Sequence, residues 1–333
     1  MLKVAINGFG RIGRLALRVG LAKHQDKIEF VAINTSGRMN AAGWAHLFEF
    51  DSIYGRYQGK VSVEGESLLV DGVKVPFFAE LDPSQLPWKK LDVDLVLECT
   101  GKFRKPEEAE AHLKAGAKKM LLSAPPKGDT ISTYLIGVND QDLKDDKMFS
   151  NASCTTNCVG PVTKVMVEKF GVKKAVMTTV HAYTSDQRLH DNSHKDLRRA
   201  RNAALNMIPT STGAAVSTGK VIKELDGLFD GISIRVPIAV GSIADFTFLT
   251  KTKTTVEAVN QAMVDAAKGE LKGILETTDK PIVSSDVIGR ECSALVDLGL
   301  TKVIDGDLVK VFAWYDNEWG FVVRMMELAV HGK

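Results

Sequence analysis

The chain has 333 residues, of which 44% are apolar and 25% are charged, the balance of an ordinary globular protein. This length exceeds what one hydrophobic core comfortably serves and predicts two domains. A net charge of +2 gives no electrostatic indication of a nucleic-acid-binding protein. No apolar run approaches the roughly 18 residues that span a bilayer. We therefore predict neither a nucleic-acid partner nor a membrane partner.

The N-terminus and the cysteines bear on where the protein is located and whether it binds a metal. The first residues enter a strand-like run at once, with no basic segment or cleavage site ahead of it, which predicts a cytoplasmic protein. Four cysteines are too few and too scattered for a disulfide framework, and a C-x-x-x-C spacing without further ligands is a poor zinc signal. We predict reduced thiols and no metal site.

The first third of the chain alternates short β-branched runs with helical patterns. Strands are predicted at residues 3–7, 28–34, 95–99 and 118–123, and helices at residues 12–22 and 106–115. This alternation is typical of βαβ units, and hence of a parallel sheet covered by helices.

The second half has a different pattern. A helix at residues 154–170 is followed by long alternating strands at residues 175–183, 232–238, 243–250 and 308–315, and a last helix is predicted at residues 318–331. We predict an α/β protein: an N-terminal Rossmann domain followed by an α+β domain with a mostly antiparallel sheet and helices on one face.

A glycine-rich turn lies directly after the first strand. Gly8, Gly10 and Gly13 form a G-x-G-x-x-G pattern, and Arg11 and Ile12 begin the helix that follows. Glycines allow a tight turn and a close approach to a pyrophosphate, while the helix N-terminus offers free N–H groups. The pattern predicts a dinucleotide site; the alternative is a purely structural turn.

The second strand ends without the expected acid. A carboxylate about twenty residues beyond the glycines would bind the adenosine ribose, but the chain has Asn34, Thr35 and Ser36 there, with Arg38 behind. A carboxylate would repel a 2′-phosphate, whereas hydroxyl donors and a cation would accept one. We predict NADP acceptance; the alternative is that Thr35 is a neutral turn residue and NAD binds through other contacts.

One cysteine is placed for nucleophilic chemistry. Cys154 begins a predicted helix with Ser153 as N-cap, and a helix N-terminus lowers the pKa of a thiol. His181 lies toward the end of a strand predicted beside this helix and could serve as a base. The other cysteines, Cys158, Cys99 and Cys292, are predicted to be buried.

Seven motifs together resemble the phosphorylating glyceraldehyde-3-phosphate dehydrogenase family over essentially the whole chain. They are "INGFGRIGR", "ASCTTNC", "TTVHAYT", "HKDLRRAR", "PTSTGAA", "IRVPI" and "WYDNEWG". The resemblance implies a homotetramer and a C-terminal helix that returns to the first domain. It thus implies a dinucleotide-binding domain at residues 1–153 and 318–333 and a catalytic domain at residues 154–317.

The resemblance also implies roles for individual residues. Cys154 resembles the nucleophile and His181 the general base. Substrate phosphate is bound in the family by residues matching Thr184 and Arg235. Inorganic phosphate is bound by residues matching Ser153, Thr155, Arg199, Thr212 and Gly213. The nicotinamide carboxamide is held by the residue matching Asn317, and the loops of the cofactor groove match Thr100, Gly101 and Ser123.

Departures from the family pattern concern the cofactor. NAD-dependent members typically have Asp in place of Thr35 and a Leu-Pro pair in place of Asn192 and Ser193. Both changes resemble members that accept NADP, so NADP, NAD or both are expected as cofactor. Val216 replaces a customary Lys, so the anion contact that a Lys could make at this position is not expected here.

The activity implied is oxidation of D-glyceraldehyde 3-phosphate, through a cysteine thioester, to 1,3-bisphosphoglycerate with NAD(P)+ and inorganic phosphate. Two alternatives stay open. A close relative oxidises erythrose 4-phosphate, which would need a less effective inorganic-phosphate site. The other is a non-catalytic role in nucleotide or partner binding, which the charge pattern does not favour.

Overall fold

A computed structural model describes residues 1–332, and these divide into two compact units. The first contains residues 1–134, 140–152 and the segment from Val322 onward; the second contains residues 135–139 and 153–321. No helix among the described residues is both long and apolar enough to cross a membrane.

The first unit is built on one nine-stranded sheet. Its strands, in chain order, are β1 (Leu2–Asn7), β2 (Ile28–Asn34), β3 (Val61–Val63), β4 (Ser67–Val70), β5 (Val73–Phe78), β6 (Leu95–Glu98), β7 (Lys119–Leu122), β8 (Ser132–Thr133) and β9 (Met148–Ser150). Their spatial order is β3-β4-β5-β2-β1-β6-β7-β9-β8. The pairs β3·β4 and β4·β5 are antiparallel, and the remaining pairs are parallel.

The connections of this sheet carry short helices. They are α1 (Arg11–Lys23), α2 (Ala41–Glu49), α3 (Pro106–Ala109) and α4 (Ala111–Lys114). The predicted Rossmann domain is confirmed. The glycine turn lies at the carboxyl end of β1, which has β2 on one side and β6 on the other. The order of the strands therefore reverses at β1, and at such a point a parallel sheet has a crevice where ligands bind.

The second unit has an eight-stranded sheet. Its strands are β10 (Val172–Ala182), β11 (Ile208–Ser211), β12 (Phe229–Val236), β13 (Ser242–Thr250), β14 (Leu275–Thr278), β15 (Ala294–Asp297), β16 (Lys302–Ile304) and β17 (Leu308–Tyr315). The spatial order is β11-β12-β10-β13-β17-β15-β14, with β16 paired to β17. Only β10·β12 and β14·β15 are parallel among the described pairs, which confirms the mostly antiparallel sheet.

Four further α-helices follow in the chain: α5 (Cys154–Phe170), α6 (Ala214–Val221), α7 (Val256–Lys268) and α8 (Trp319–His331). Within the second unit, α5 contacts β10, β13, β15 and β17. Buried and half-buried residues alternate along the whole of β13, as expected for a strand with one face on the core. The end of α8 is held in the first unit, where Lys119 Nζ donates to the carbonyl of Gly332 at 2.8 Å.

Candidate active site

The glycine turn of the first unit has the backbone geometry of a phosphate cradle. Gly8 has a positive φ of 99°, and a Cβ there would lie 2.8 Å from the amide nitrogen of Thr100. A Cβ at Gly13 would lie 2.1 Å from the carbonyl oxygen of Gly8. Both glycines are therefore required by the protein's own packing.

Gly10 differs from the other two glycines because a Cβ there would meet nothing within 4 Å. It is the N-cap of α1, makes no side-chain cap, and has no acidic residue in the helical turn after it. A Cβ would thus occupy only the space in front of the first N–H groups, where an anion is favoured. The donors and the open space fit the pyrophosphate of a dinucleotide.

The turn borders a cavity of about 430 Å³. Six of the predicted cofactor residues line it: Gly8, Gly10, Asn34, Thr35, Ser36 and Thr100. Arg38 also borders it, and no carboxylate pairs with this guanidinium within residues 1–332. The cavity is therefore large enough for part of a nucleotide and carries an available cation at one side.

Several predicted cofactor side chains are engaged by the protein itself. The Asn34 amide donates from Nδ2 to Oδ1 of Asn7 at 2.7 Å and to the carbonyl of Glu80 at 2.8 Å, and its Oδ1 accepts from the N–H of Glu80 at 3.0 Å. The hydroxyl of Thr35 donates to the carbonyl of Phe78 at 3.3 Å and accepts from the amide of Gly37 at 3.3 Å. Asn34 thus clamps two strand ends together, and the hydroxyl of Thr35 is not directed at a ligand. Ser36 and Arg38 remain as the donors.

The other predicted residues of this unit occupy turns and helix starts. Arg11 has its guanidinium paired with both oxygens of Asp51, at 2.6 and 3.3 Å, so the charge of this side chain is already balanced within the unit. Ile12 follows it in α1, Gly101 follows Thr100, and Ser123 directly follows β7. Cys99, predicted to be buried, is partly exposed because it borders the cavity at the end of β6.

In the second unit, a thiol and an imidazole are in contact. Cys154 is the first residue of α5, and Sγ lies 3.4 Å from Nε2 of His181 near the end of β10. Ser153 caps the helix by accepting from the amide of Thr156 at 3.1 Å. Cys158, one turn further along, is fully buried and Cys292 nearly so, both as predicted.

The tautomer of His181 follows from its other nitrogen. Nδ1 lies 2.6 Å from the carbonyl oxygen of Ala182, a distance that requires a hydrogen on Nδ1. Nε2 therefore carries the lone pair and faces Sγ of Cys154. Burial, together with the nearby guanidinium of Arg235, lowers the pKa of His181 to about 3. The imidazole is therefore neutral at physiological pH, with the lone pair of Nε2 directed at the thiol.

The pKa of Cys154 corrects one expectation. The helix N-terminus was expected to lower it, but the net shift is upward because burial of the thiol outweighs the charge of Arg235 and the bonds to Thr155. Sulfur and imidazole therefore form a neutral pair at rest, not a thiolate–imidazolium pair. The thiol loses its proton to Nε2 only when sulfur attacks.

Arg235 is the charged group beside this pair. Its Nη1 lies 3.0 Å from Nδ1 of His181 and donates to the carbonyl of Ala182 at 3.2 Å. Its buried Nε has no hydrogen-bond partner among residues 1–332. An unpaired buried donor on a cation is well suited to an anion, which is consistent with the predicted substrate-phosphate role.

Arg199 is held by carboxylates. Its Nη1 donates to Asp186 at 2.5 Å, and its Nε donates to Thr210 at 2.9 Å and lies 3.4 Å from Asp196. Burial would raise the pKa of Asp186, but bonds from Arg199 and His194 bring that pKa below its usual value. Sequence reasoning missed Asp186, although it lies two residues after Thr184 in the run that follows "TTVHAYT".

Comparison with known proteins bears on both units. Residues 2–106 match the family description "Glyceraldehyde 3-phosphate dehydrogenase, NAD binding domain", and residues 153–317 match the C-terminal domain of the same enzyme. A Zymomonas mobilis protein named glyceraldehyde-3-phosphate dehydrogenase is 52% identical over 98% of this chain and 97% of its own. The plasmid-borne protein of that name from Cupriavidus necator is 51% identical over 99% of this chain and 98% of its own. A protein of that name from Thermotoga maritima is 52% identical over 98% of each chain.

The chain belongs to the glyceraldehyde 3-phosphate dehydrogenase family. This confirms the family resemblance of the motifs, and it makes the protein an NAD(P)-dependent oxidoreductase with a dinucleotide-binding Rossmann domain.

The remaining residues matched to the glyceraldehyde 3-phosphate dehydrogenase pattern lie at several places in the second unit. Thr155 is buried, and its hydroxyl is 2.9 Å from the hydroxyl of Tyr315, a residue that sequence reasoning did not single out. Thr212 accepts from the amide of Ala214 at 3.2 Å, and Gly213 is the N-cap of α6 with open space around it. Thr184 is exposed. The loop residues Asn192 and Ser193 are also exposed.

Proposed function

We propose that the protein oxidises D-glyceraldehyde 3-phosphate to 1,3-bisphosphoglycerate, using NAD(P)+ and inorganic phosphate. The observation that carries the proposal is the 3.4 Å contact between Sγ of Cys154 and Nε2 of His181 at the start of α5. The two relatives from Zymomonas mobilis and Cupriavidus necator are named for the same substrate, which supports the proposal. In this proposal residues 1–153 and 318–333 bind the dinucleotide, and residues 154–317 carry the chemistry.

The first half of the reaction follows from the neutral thiol–imidazole pair. Cys154 adds to the aldehyde carbon while its proton passes to Nε2 of His181, and His181 then returns that proton to the new oxygen anion, giving a neutral hemithioacetal and a neutral imidazole. The N–H groups at the start of α5 stabilise the oxygen anion that forms. When bound, the nicotinamide of the cofactor accepts a hydride. His181 takes the hydroxyl proton of the hemithioacetal in the same step, which leaves a thioester on Cys154.

The second half is acyl transfer to phosphate. Inorganic phosphate attacks the thioester carbon, the sulfur leaves and regains a proton, and the acyl phosphate departs. We assign the substrate phosphate to Thr184 and Arg235. We assign the attacking phosphate to Ser153, Thr155, Arg199, Thr212 and Gly213. Asn317 is proposed to hold the nicotinamide carboxamide. Two anions bound in one reaction explain the need for two guanidinium groups.

Replacing Arg199 with glutamine tests the assignment of the attacking phosphate. We expect the KM for phosphate to rise about tenfold to a hundredfold, since a charge-assisted hydrogen bond contributes about 1.5–3 kcal/mol. The single-turnover burst of reduced cofactor without phosphate should persist. Arg198→Gln, at the exposed neighbouring position, is the matched control and should keep the wild-type KM. A wild-type acyl-enzyme that turns over equally fast without phosphate would contradict phosphorylating activity and favour the erythrose 4-phosphate alternative.

We propose that NADP is accepted as cofactor. The support is the absence of a carboxylate at Thr35, the cavity-lining Ser36 and Arg38, and the exposed Asn192 and Ser193 in place of a Leu-Pro pair. Only Ser36 and Arg38 are proposed to contact a 2′-phosphate directly in the first unit, because the Thr35 hydroxyl bonds to the backbone. Thr35 contributes by being uncharged.

Thr35→Asp should lower kcat/KM for NADP by about tenfold to a hundredfold and keep or improve that for NAD, because a new carboxylate repels the 2′-phosphate and accepts from ribose hydroxyls. Thr35→Asn introduces a side chain as large as that of Asp but uncharged. It is the control and should keep NADP use. Steady-state kinetics with both cofactors measures the ratio. A wild-type preference for NAD of more than about tenfold would contradict the proposal.

We also propose a homotetramer. Large apolar side chains on the loop that contains Asn192 and Ser193 are exposed in the single chain, as expected of a surface that a second copy covers: Leu189, Leu197, Leu205 and Met207.

A further inference from the structure

The side-chain amide of Asn317 is held in one orientation by two donors. Its Oδ1 accepts from the backbone N–H of Gly241 at 3.1 Å and from the hydroxyl of Ser242 at 3.0 Å. Asn317 is 6% exposed and Ser242 1% exposed, so water does not compete for these bonds. A flipped amide would direct its NH2 group at the Gly241 N–H, where two donors would face each other, and lose that bond. The Nδ2 group is therefore the part of the amide that can donate to a ligand.

The direction of the Ser242 hydroxyl is itself fixed. The backbone N–H of Ala182 donates to Ser242 Oγ at 3.2 Å. Because Oδ1 of Asn317 can only accept, the Ser242 hydroxyl hydrogen points at Asn317 while Oγ accepts from Ala182. Gly241 is constrained in turn: its φ is +96°, and a Cβ there would lie 2.3 Å from the carbonyl oxygen of Ser284. Only glycine lets this N–H point at Asn317.

One residue connects the amide to the base. The carbonyl of Ala182 receives Nδ1–H of His181 at 2.6 Å, while the N–H of the same residue supports Ser242. Ala182, at the end of β10, thus positions both groups: its carbonyl holds the imidazole of His181, and its N–H holds Ser242, which bonds to the amide of Asn317. Ser242, the first residue of β13, is the side chain that transmits this position to Asn317.

We propose that Ser242 is a positioning residue, which fixes the amide of Asn317 and through it the face of the nicotinamide ring that receives the hydride. Ser242 touches neither substrate nor cofactor in this proposal, which rests on the proposed function through the role of Asn317. Without the hydroxyl, Oδ1 keeps one donor in place of two, and the amide can rotate.

Ser242→Ala tests the proposal through the stereochemistry of hydride transfer. Deuterated glyceraldehyde 3-phosphate is oxidised, and the reduced cofactor is analysed for deuterium on each face of C4. The wild type should label one face only. The variant should label both faces detectably, with the KM for cofactor raised about tenfold, as expected for one lost hydrogen bond. Single-face labelling with an unchanged KM would overturn the proposal.

Two further variants keep the test decisive. Ser233→Ala removes another buried serine hydroxyl, 1% exposed, on β12 of the same sheet; its Oγ has no hydrogen-bond partner among the described residues. This control should keep both the wild-type KM and the labelling of one face. Ser242→Cys nearly preserves the volume while weakening the bond. It should give the same change to a smaller degree, and it replaces the alanine variant if that variant does not fold.

Failure of this proposal can be told apart from failure of the proposed function. If the wild type transfers no deuterium from the aldehyde, the proposed function is wrong. If the wild type is active and Asn317→Ala loses facial selectivity while Ser242→Ala keeps it, only the role of Ser242 is wrong.

Discussion

Cys154→Ser is expected to lower kcat/KM for aldehyde oxidation by about four orders of magnitude or more. A serine hydroxyl is far less acidic than a thiol, and the burial that already raises the pKa of Cys154 would oppose an alkoxide still more strongly. The neutral His181 could not compensate, because its own pKa lies at about 3. Removing the nucleophile of a covalent mechanism has effects of this size or larger.

The measurement is a stopped-flow trace of cofactor reduction without phosphate, in which the wild type should give a burst approaching one equivalent per chain and the variant none. Cys158→Ser is the matched control: the same substitution, one helical turn along α5, at a fully buried sulfur 3.8 Å from the carbonyl of Ala313. Its activity should stay within about tenfold of wild type, as a structural substitution away from the reacting atoms. A Cys154→Ser protein that retained a tenth of the activity or the burst would refute nucleophilic catalysis by this residue.

Long periodic segments could be predicted from the sequence almost to the residue. The bounds of β2, α5 and β17 agree with the prediction, since each combines a clear apolar pattern with a capping or turn residue. The short strands β3 and β4 and the strand β5 were not predicted, because their pattern is broken by glycines and charged residues. The helix predicted at residues 106–115 divides at Glu110 into α3 and α4.

The candidate site was predicted in its residue types but not in its electrostatics. Sequence spacing indicated Cys154 and His181 because a helix start and a strand end can be recognised locally. It could not indicate the burial that reverses the expected pKa shift of the thiol, since burial depends on residues distant in the chain. For the same reason it missed partners that act through contact alone: Asp186 on Arg199, and Ser242 on Asn317.

A second large effect is expected for His181→Asn. Without the lone pair on Nε2 that faces Sγ at 3.4 Å, none of the described residues in contact with Cys154 can take the proton of the thiol or of the hemithioacetal. General-base removal lowers rates by about 10²- to 10⁴-fold. We expect the burst to slow by this factor while the KM for cofactor stays near the wild-type value. The wild-type rate should change little with pH near neutrality, because the thiol passes its proton to Nε2, whereas the rate of the variant should rise with pH, because hydroxide in solution must replace the base.

Although His181→Asn should lower activity, it should make the free energy of unfolding less sensitive to acid. In the folded chain His181 stays neutral down to a pKa of about 3, whereas an unfolded histidine binds a proton near pH 6.5. Below pH 6.5 the unfolded state therefore binds more protons than the folded state, and the free energy of unfolding falls as the pH is lowered toward 3. At pH 5 this contribution amounts to about 2 kcal/mol. His181→Asn removes it, so urea unfolding at pH 7 and pH 5 should show a smaller loss of stability for the variant than for the wild type. His46→Asn, on the exposed surface of α2, should lose as much stability as the wild type. Equal losses in wild type and His181→Asn would mean that His181 is protonated in the folded protein at pH 5.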